Sequence, residues 1–381
     1  MDYVQTYKEL RNKYDPIKIN CEICNSSENL NFNNVGRISV AGSYGLLPVV
    51  ICKHCSYTYQ NPRYTDKFYK DYYKLLYRQV AFGATEPEGS YLDLQKERGK
   101  RVLDYLRDNK YLRQNSKILD HGCAAGNTMI AFEEEQFNIC GIDPHQPSVE
   151  KGNKNGRNIF VAGGENMPFK EKSLDLIISL GSLEHVYNLE KSMSEISRVL
   201  SKNGILFARW RSDRIWGSPY EFYNHNHYRF FTIKTWELLL NKFNFRLINY
   251  TYEEIEGWTG AAYIVAKKSN DNYVSPDTNL KLNFNPKEEV KNRINNLRQL
   301  KENRFSYFEE FLNFAKENDY NNEKIYDLIN NPKNNLKTKF RLLFGFPEEV
   351  VPRAILEAKR YKKAFQEDKK SSNNFQDYEI D

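Results

Sequence analysis

Residues 117–126 read Lys-Ile-Leu-Asp-His-Gly-Cys-Ala-Ala-Gly, an apolar strand that ends in an acid and then turns through small residues. Small residues between Gly122 and Gly126 allow the backbone to approach a ligand closely as the chain enters a helix. A second apolar strand ends at Asp143, 23 residues after Asp120. An acid at that distance can accept hydrogen bonds from ribose hydroxyls, and a cap at the end of a strand is the alternative role.

Strand-like and helix-like segments alternate around this turn, from about residue 96 to residue 268. The strand-like segments are 117–122, 138–143, 174–180, 204–210, 245–252 and 261–268. Amphipathic stretches such as LEKSMSEISRVL lie between them. Alternation of this kind predicts βαβ units and a largely parallel sheet. A nicotinamide-binding Rossmann domain is the main structural competitor, but its Gly-x-Gly-x-x-Gly motif is absent after Gly122.

Three linked motifs resemble those of the class I S-adenosylmethionine-dependent methyltransferases. LDHGCAAGN, residues 119–127, is similar to the family's Leu-Asp-x-Gly-Cys-Gly-x-Gly. Residues 163–186, GGENMPFKEKSLDLIISLGSLEHV, resemble a family run of Gly-Asp-Ala-Glu-Asn-Leu-Pro-Phe, a Phe-Asp-Leu strand and Glu-His-Val. The resemblance covers about residues 96–268 and implies an α/β, Rossmann-like sheet that binds S-adenosylmethionine.

The resemblance also implies which residues hold this cofactor. In the family, the glycine turn surrounds the methionine part, the acid of the second strand binds the ribose, and the segment around residue 166 flanks the adenine. The predicted cofactor-binding residues are Asp120, Gly122, Cys123, Gly126, Asp143, Pro144, Glu165, Asn166, Met167 and Leu180. Two positions depart from the family pattern. Ala124 replaces a usual glycine, and Gly163 stands where an aspartate often contacts the adenine amino group.

Two Cys-x-x-Cys pairs lie near the N-terminus. They are Cys21 with Cys24 and Cys52 with Cys55. Four thiolates suit tetrahedral zinc and leave no open position for chemistry, so we expect a structural zinc ribbon. Four reduced structural cysteines are the alternative, and His54, inside the second pair, is expected to be a bystander. With the lone Cys123 and Cys140, this pattern favours a reducing cytoplasm over a disulfide framework.

The second cysteine pair extends the resemblance. Residues 52–73, CKHCSYTYQNPRYTDKFYKDYY, are similar to a bacterial subgroup with Cys-x-x-Cys-Gly-x-x-x-x-Asn-Pro-Arg followed by a Tyr-rich helix. Members with this layout often belong to surface polysaccharide or sugar biosynthesis, and some methylate nucleotide-linked sugars. The resemblance therefore implies a carbohydrate-related acceptor.

Candidate catalytic groups follow two of the predicted strands. Glu184 and His185 come after the fourth strand, and His185 is a candidate base because its ordinary pKa is near neutrality. A helix cap or support for the cofactor loop is the alternative role for His185. Residues 218–232, SPYEFYNHNHYRFFT, resemble a lid that offers Tyr223 and His227 to the acceptor. A loop packed by its own aromatic rings, with His227 as a structural hydrogen-bonding group, is the alternative.

Four arginines and the aromatic segment add further candidates. Arg209, Arg211, Arg214 and Arg229 could contact a phosphate, although solvation at the surface is the more common fate of such side chains. His225 would point to the same side as His227 in an extended segment.

The length of 381 residues suits two or three units. We predict an N-terminal lead and zinc ribbon (1–60), a Tyr-rich connector (61–95), a methyltransferase domain (96–268) and a helical C-terminal extension (269–381). In the extension, Val290, Ile294, Leu297 and Leu300 fall on one helical face. Docking on the protein's own domain is the first expectation for this face, and a homodimer comes next.

Composition narrows the function classes. The net charge of +6 and a pI near 8.7 fall short of the concentrated basic face of a nucleic-acid binder. The mean hydropathy is −0.75, and the absence of an 18-residue apolar run argues against a transmembrane helix. The N-terminus lacks the apolar core of a signal peptide, so we expect a cytoplasmic protein.

The leading hypothesis is methyl transfer to a small-molecule acceptor, a sugar or a related intermediate. Oxygen is favoured as the accepting atom, then carbon, then nitrogen. An RNA methyltransferase is the first rival, although Asn-Pro-Pro-Tyr is absent after the fourth strand, and Asn61-Pro62-Arg63-Tyr64 belongs to the ribbon. A non-catalytic assembly module that binds the cofactor, or nothing, is the second rival.

Overall fold

The computed structural model describes residues 3–37, 44–77, 90–211, 227–253, 255–256, 261–269 and 285–331, together with the single positions 355, 358, 359, 362, 363 and 366. These residues form two compact units. The first unit takes its residues from 1–68, 213–230 and 285–381, and the second from 69–212 and 231–284. The boundaries expected at residues 60, 95 and 268 stay a prediction.

Helices and strands follow one another along the whole described chain. In order they are α1 (Tyr3–Lys13), β1 (Asn29–Arg37), β2 (Tyr44–Cys52), β3 (Thr58–Gln60), α2 (Asp66–Tyr72), α3 (Ser90–Asp108), β4 (Lys117–His121), α4 (Ile130–Glu134), β5 (Asn138–Asp143), α5 (Gln146–Lys154), β6 (Ile159–Val161), β7 (Leu174–Leu180), α6 (Leu189–Val199), β8 (Leu200–Arg211), β9 (Arg229–Phe230), α7 (Ile233–Lys242), β10 (Phe245–Thr251), β11 (Ala261–Lys268), α8 (Pro286–Glu317) and α9 (Asn322–Asn330). A π-helical turn, Tyr73–Tyr77, follows α2, and a 3₁₀ turn, Asn127–Met129, precedes α4.

The first unit contains a four-stranded antiparallel sheet in the order β1-β2-β3-β9. One face carries a buried apolar cluster of Leu30, Phe32, Val49, Ile51, Phe230 and Val290. Val290 comes from α8, and Arg293 of the same helix donates to the Thr58 hydroxyl at 2.8 Å and to the Phe230 carbonyl at 3.1 Å. The start of α8 therefore packs on the chain's own sheet through Val290 and Ile294, whereas the side chains of Leu297 and Leu300 lie outside the described residues.

The second unit contains a seven-stranded sheet in the order β10-β11-β8-β7-β4-β5-β6. Adjacent strands are parallel from β6 to β8, and β11 runs antiparallel to β8 and to β10. The prediction of an α/β, largely parallel, Rossmann-like sheet is confirmed, and all six predicted strands are present. The short edge strand β6 was missed because three residues give too little pattern.

Parallel strands bring their carboxyl ends to one edge of this sheet, where α/β proteins bind ligands. Local sequence fixes the elements behind that edge. In α6, Asn188 accepts from the Lys191 amide at 2.9 Å as a cap, and apolar residues at helical spacing face the core. Among the described helices, none has an apolar stretch long enough to cross a bilayer.

Candidate cofactor site and metal centre

The turn after β4 is held in a conformation that favours glycine. Gly122, Ala124 and Gly126 have φ values of 78°, 51° and 72°, in the left-handed region. A Cβ on Gly122 would lie 2.1 Å from the Ser182 hydroxyl, which donates to the His121 carbonyl at 2.8 Å. Position 122 therefore has no room for a side chain. Ala124, the departure from the family pattern, occupies a strained position that a glycine would relieve.

Asp143, at the end of β5, is tied to this turn. Its Oδ2 accepts from the Ala124 amide at 2.9 Å and its Oδ1 from the His145 amide at 2.8 Å. His145 in turn caps α5, because its Nδ1 accepts from the Ser148 amide at 3.3 Å. The bond to the His145 amide is the strand-end cap that was the alternative role for Asp143. The same bonds fix its orientation beside the turn, as a ribose-binding acid requires.

Asp120, at the end of β4, is a buried acid with weak compensation. Its carboxylate accepts a hydrogen bond from the Thr128 hydroxyl at 2.6 Å. Burial, together with the negative charges of Asp143 and Glu256, raises the pKa of Asp120 to about 7 against the lowering effect of that bond. A cation bound near this acid would favour its ionised form.

Two predicted cofactor residues face the protein interior. The Cys123 side chain packs in the core against β5, where a Cβ on Gly141 would lie 2.4 Å from its sulfur, and burial raises the pKa of the thiol well above its ordinary value. Met167 is also buried, and its amide donates to Glu195 at 2.7 Å. Only the backbones of these two residues are suited to face a ligand.

The other predicted cofactor residues lie nearer the surface. Pro144 and Asn166 are exposed, and Leu180, at the end of β7, is half-buried. Glu165 accepts from the Asn188 amide at 2.6 Å, which places it at the N-terminus of α6. These residues lie at or after the ends of β5, β6 and β7. They are therefore at the carboxyl edge of the sheet, where the resemblance predicts the cofactor.

His185 lies in an aromatic pocket that sequence reasoning missed. The Tyr73 hydroxyl is 3.0 Å from His185 Nδ1, and the Tyr73 and Tyr77 rings lie edge-on to the imidazole at centroid distances of 6.5 and 6.4 Å. The π-helical turn carries both tyrosines, and such turns are frequent at functional sites. The Tyr-rich run from residue 69 was the available signal. Glu184, the neighbouring candidate, is buried.

Of the second pair of catalytic candidates, Tyr223 and His227, the structure describes only His227. His227 is buried in the first unit, and its carbonyl accepts from Gln60 Nε2 at 2.6 Å. Tyr223 and His225 lie outside the described residues, as does Arg214. The expectation of a lid over the acceptor therefore stays a prediction.

Solvation, the expected fate of the arginines, is wrong for two of them. The Arg229 side chain is fully buried and bonds both oxygens of Glu22, at 2.6 and 3.1 Å. Arg209 is buried against Glu256, with its Nη1 donating to Oε2 at 2.9 Å. Each guanidinium is paired because a buried charge needs a partner. The Arg211 side chain lies outside the description.

The four cysteines of the two pairs converge in the first unit. Their sulfur atoms all lie within 4.8 Å of one another, with Cys21 to Cys55 and Cys24 to Cys52 each at 3.5 Å. Tetrahedral zinc with bonds of about 2.3 Å to sulfur separates its ligands by about 3.8 Å, so the donor set fits. His54 lies outside the cluster and pairs with Glu28 at 3.4 Å. The convergence is confirmed, and the identity of the metal stays a prediction.

A buried charge network supports the first cysteine knuckle. Glu22 accepts from Arg63 at 3.1 Å, from Arg229 and from the Tyr57 hydroxyl at 3.3 Å. Asn61 holds the segment before the knuckle, since its amide group bonds the N–H and the carbonyl of Ile19 at 3.0 Å each. The Asn61-Pro62-Arg63 motif of the sequence therefore anchors the cysteine cluster.

Comparison with known proteins bears mainly on the second unit. Residues 91–250 match a protein family described as a methyltransferase domain. The match shows a methyltransferase domain over these residues. This domain holds the glycine turn, Asp143 and His185 described above.

The curated relatives that match this domain carry names that refer to different substrates. "Probable tRNA methyltransferase 9B" of Mus musculus is 31% identical over 119 residues, which are 30% of this chain and 26% of that protein. A ubiquinone/menaquinone biosynthesis C-methyltransferase of Campylobacter jejuni is 32% identical over 105 residues, 25% of this chain and 45% of that protein. The chain thus spans less than half the length of these curated relatives.

A solved structure also aligns with part of the chain. A SAM-dependent methyltransferase from Archaeoglobus fulgidus aligns with 48% of this chain and 100% of its own, at 19% identity and a TM-score of 0.39.

Proposed function

We propose that the protein transfers the methyl group of S-adenosylmethionine to a small-molecule acceptor, a sugar or a nucleotide-linked sugar. Oxygen is favoured as the accepting atom over carbon or nitrogen. The observation that carries the cofactor assignment is the left-handed turn at Gly122 to Gly126, tied to the oriented carboxylate of Asp143. The sugar assignment rests on the resemblance of the cysteine-bearing segment alone.

The cofactor, when bound, supplies a methyl group on a positively charged sulfonium. Asp143 is suited to accept hydrogen bonds from ribose hydroxyls, because two backbone amides already orient its carboxylate. Asp120 gives the turn a buried negative charge, which favours a cationic ligand over a neutral one. We assign the remaining cofactor contacts to Gly122, Gly126 and the backbone that follows β6 and β7.

His185 is the proposed base for a hydroxyl acceptor. In the tautomer with its proton on Nδ1, the imidazole donates to Tyr73 and keeps Nε2 as an acceptor. Tyr73 would therefore hold the ring while Nε2 takes the proton that the acceptor loses. Glu184 is a second proposed catalytic group, and His227 and Tyr223 stay proposed acceptor contacts.

Calorimetry tests the cofactor assignment directly. The purified protein is titrated with S-adenosylmethionine and S-adenosylhomocysteine, and micromolar binding of either supports the proposal. Asp143→Ala should weaken both affinities at least tenfold, because it removes the ribose acceptor and unties the turn. Lack of binding by a folded wild type would favour the non-catalytic assembly module instead.

An RNA substrate is the second candidate, because the matched mouse relative is named as a probable tRNA methyltransferase. Phosphate contacts make RNA affinity fall steeply with salt. Measuring tRNA binding at 50 and 200 mM salt separates the candidates. A small-molecule enzyme should show weak binding at the higher salt, whereas tight binding with a steep slope would favour RNA.

A further inference from the structure

Arg209 and Glu256 form a buried ion pair at the carboxyl edge of the seven-stranded sheet. Arg209 lies near the end of β8, and Glu256 lies in the connection that enters β11 beside it. Besides its bond to Glu256, Arg209 donates through Nη2 to the Leu180 carbonyl at 2.8 Å. The two side chains are 10% and 1% exposed. The pair is therefore rigidly placed next to the end of β7.

One carboxylate oxygen of this pair, Oε1 of Glu256, lacks a hydrogen bond from the described residues. Oε1 of Glu256 is buried, and no donor within the described part of the chain lies within hydrogen-bond distance of it, although the Tyr263 hydroxyl is close enough to the carboxylate for their interaction to raise the pKa of Tyr263. Buried carboxylate oxygens ordinarily accept hydrogen bonds, because leaving them bare costs the solvation they had in water. Since Arg209 bonds the other oxygen, the pair is neutral overall but retains one acceptor for an incoming group.

The position of the pair separates it from the cofactor turn by one strand. The sheet order places β7 between β4, which leads to the turn, and β8, which carries Arg209. The loop after β7 passes directly over the guanidinium, since a Cβ on Gly181 would lie 2.3 Å from Arg209 Nη2. The same loop continues to His185. Glu256 also contributes to the raised pKa of Asp120, so its charge is felt at the turn.

We propose that Oε1 of Glu256, held in place by Arg209, binds a hydrogen-bond donor of the methyl acceptor. The group bound is a hydroxyl or an amine, because an ionised carboxylate can only accept. A polyhydroxylated acceptor offers such a donor next to the hydroxyl that is methylated. This inference rests on the proposed methyl transfer and adds the group that recognises the acceptor.

Glu256→Gln tests the proposal while preserving shape and the bond to Arg209. Glu253→Gln, an exposed residue of the same connection, is the matched control. Affinity for S-adenosylmethionine is measured by calorimetry. Transfer of labelled methyl is measured against a dilution series of a deproteinised, low-molecular-mass bacterial extract, which gives an apparent half-saturating concentration and a maximal rate.

We expect Glu256→Gln to raise the half-saturating concentration at least tenfold, with cofactor affinity within twofold of wild type and the control unchanged. Unchanged transfer would overturn the proposal, and so would a loss of cofactor affinity, which would assign the pair to the cofactor. A wild type that binds cofactor but labels nothing would overturn the proposed function and this inference with it. If Glu256→Gln does not fold, Glu256→Asp, which keeps the charge but withdraws the oxygen, is judged by the same outcomes.

Discussion

Each unit contains a buried acid, and the two acids have opposite surroundings. In the first, Glu22 is surrounded by two arginines and a tyrosine, and every partner is part of the chain. In the second, Asp120 has a threonine hydroxyl and two neighbouring acids, and its pKa rises to about 7. Compensated charge holds a fold together, whereas uncompensated charge is strain that a ligand relieves. The surroundings of Glu22 therefore resemble a structural scaffold, and those of Asp120 resemble a binding site.

Metal removal should produce the largest effect and confine it to the first unit. A structural zinc contributes about 10 kcal/mol or more to folding. Cys52→Ser should abolish the thermal transition of the first unit and its bound zinc, measured by calorimetry and metal analysis.

Cys140→Ser is the matched control for that experiment. This thiol is half-buried in the second unit and contacts the Ile118 carbonyl at 3.6 Å. Its substitution should leave zinc content at wild-type level. Equal zinc content in Cys52→Ser and wild type would show that the cluster is not the metal site.

Glu22→Gln should destabilise the first unit by about 3–5 kcal/mol, because it leaves Arg63 and Arg229 buried without their counter-charge. Burial alone would raise the pKa of Glu22, but Arg229 and Arg63 outweigh it and lower the pKa. The stabilisation is therefore present above pH 4.5 and is lost as the pH falls through the lowered pKa. Denaturant unfolding at pH 7 and in acid measures both effects.

Glu28→Gln controls for the loss of a charge near the cysteines, because this side chain is 65% exposed. It should change the unfolding free energy by less than about 0.5 kcal/mol. A comparable loss in both variants would mean that the Glu22 network carries no special share of the stability.

Asp120→Asn should have the opposite sign and stabilise the second unit. The folded state holds the Asp120 proton more tightly than the unfolded chain, so this residue's contribution to stability falls as the pH rises from about 4 to about 7. A shift of about three units corresponds to about 4 kcal/mol at pH 8, which is the upper bound of the gain. Thermal unfolding at pH 8 should show it, and calorimetry should show weaker S-adenosylmethionine binding.

Asp175→Asn is the control at the opposite edge of the sheet. Asp175 lies near the start of β7 and accepts from the Lys117 amide at 3.0 Å. Its substitution should leave cofactor affinity unchanged and give no gain in stability. A gain in stability in both variants would show that the effect does not come from the buried charge of Asp120.

Sequence patterns predicted the local motifs of both units but not the contacts between distant residues. The glycine turn, the two acids and the cysteine pairs were all visible, because each is a local motif whose backbone demands particular residue types. The ion pairs Glu22–Arg229 and Arg209–Glu256 were missed, because their partners are far apart in sequence. The separations are 207 and 47 positions, respectively. The contact of Tyr73 with His185 was missed for the same reason, at a separation of 112. Spacing predicts what lies on one turn or strand, and only the folded chain shows which distant charges meet.

The smallest expected change in stability is that of a substitution at Ala124, in the turn after β4. Ala124 is left-handed, which costs about 1 kcal/mol, so Ala124→Gly should relieve strain while making the unfolded chain more flexible by a similar amount. The net change in unfolding free energy should stay within about 1 kcal/mol, with cofactor affinity unaltered. Gly122→Ala should instead lose cofactor binding, because the added Cβ would meet Ser182. Equal tolerance at both positions would mean that the turn adapts freely, and a turn of that kind would not be the preorganised site that its fixed acids suggest.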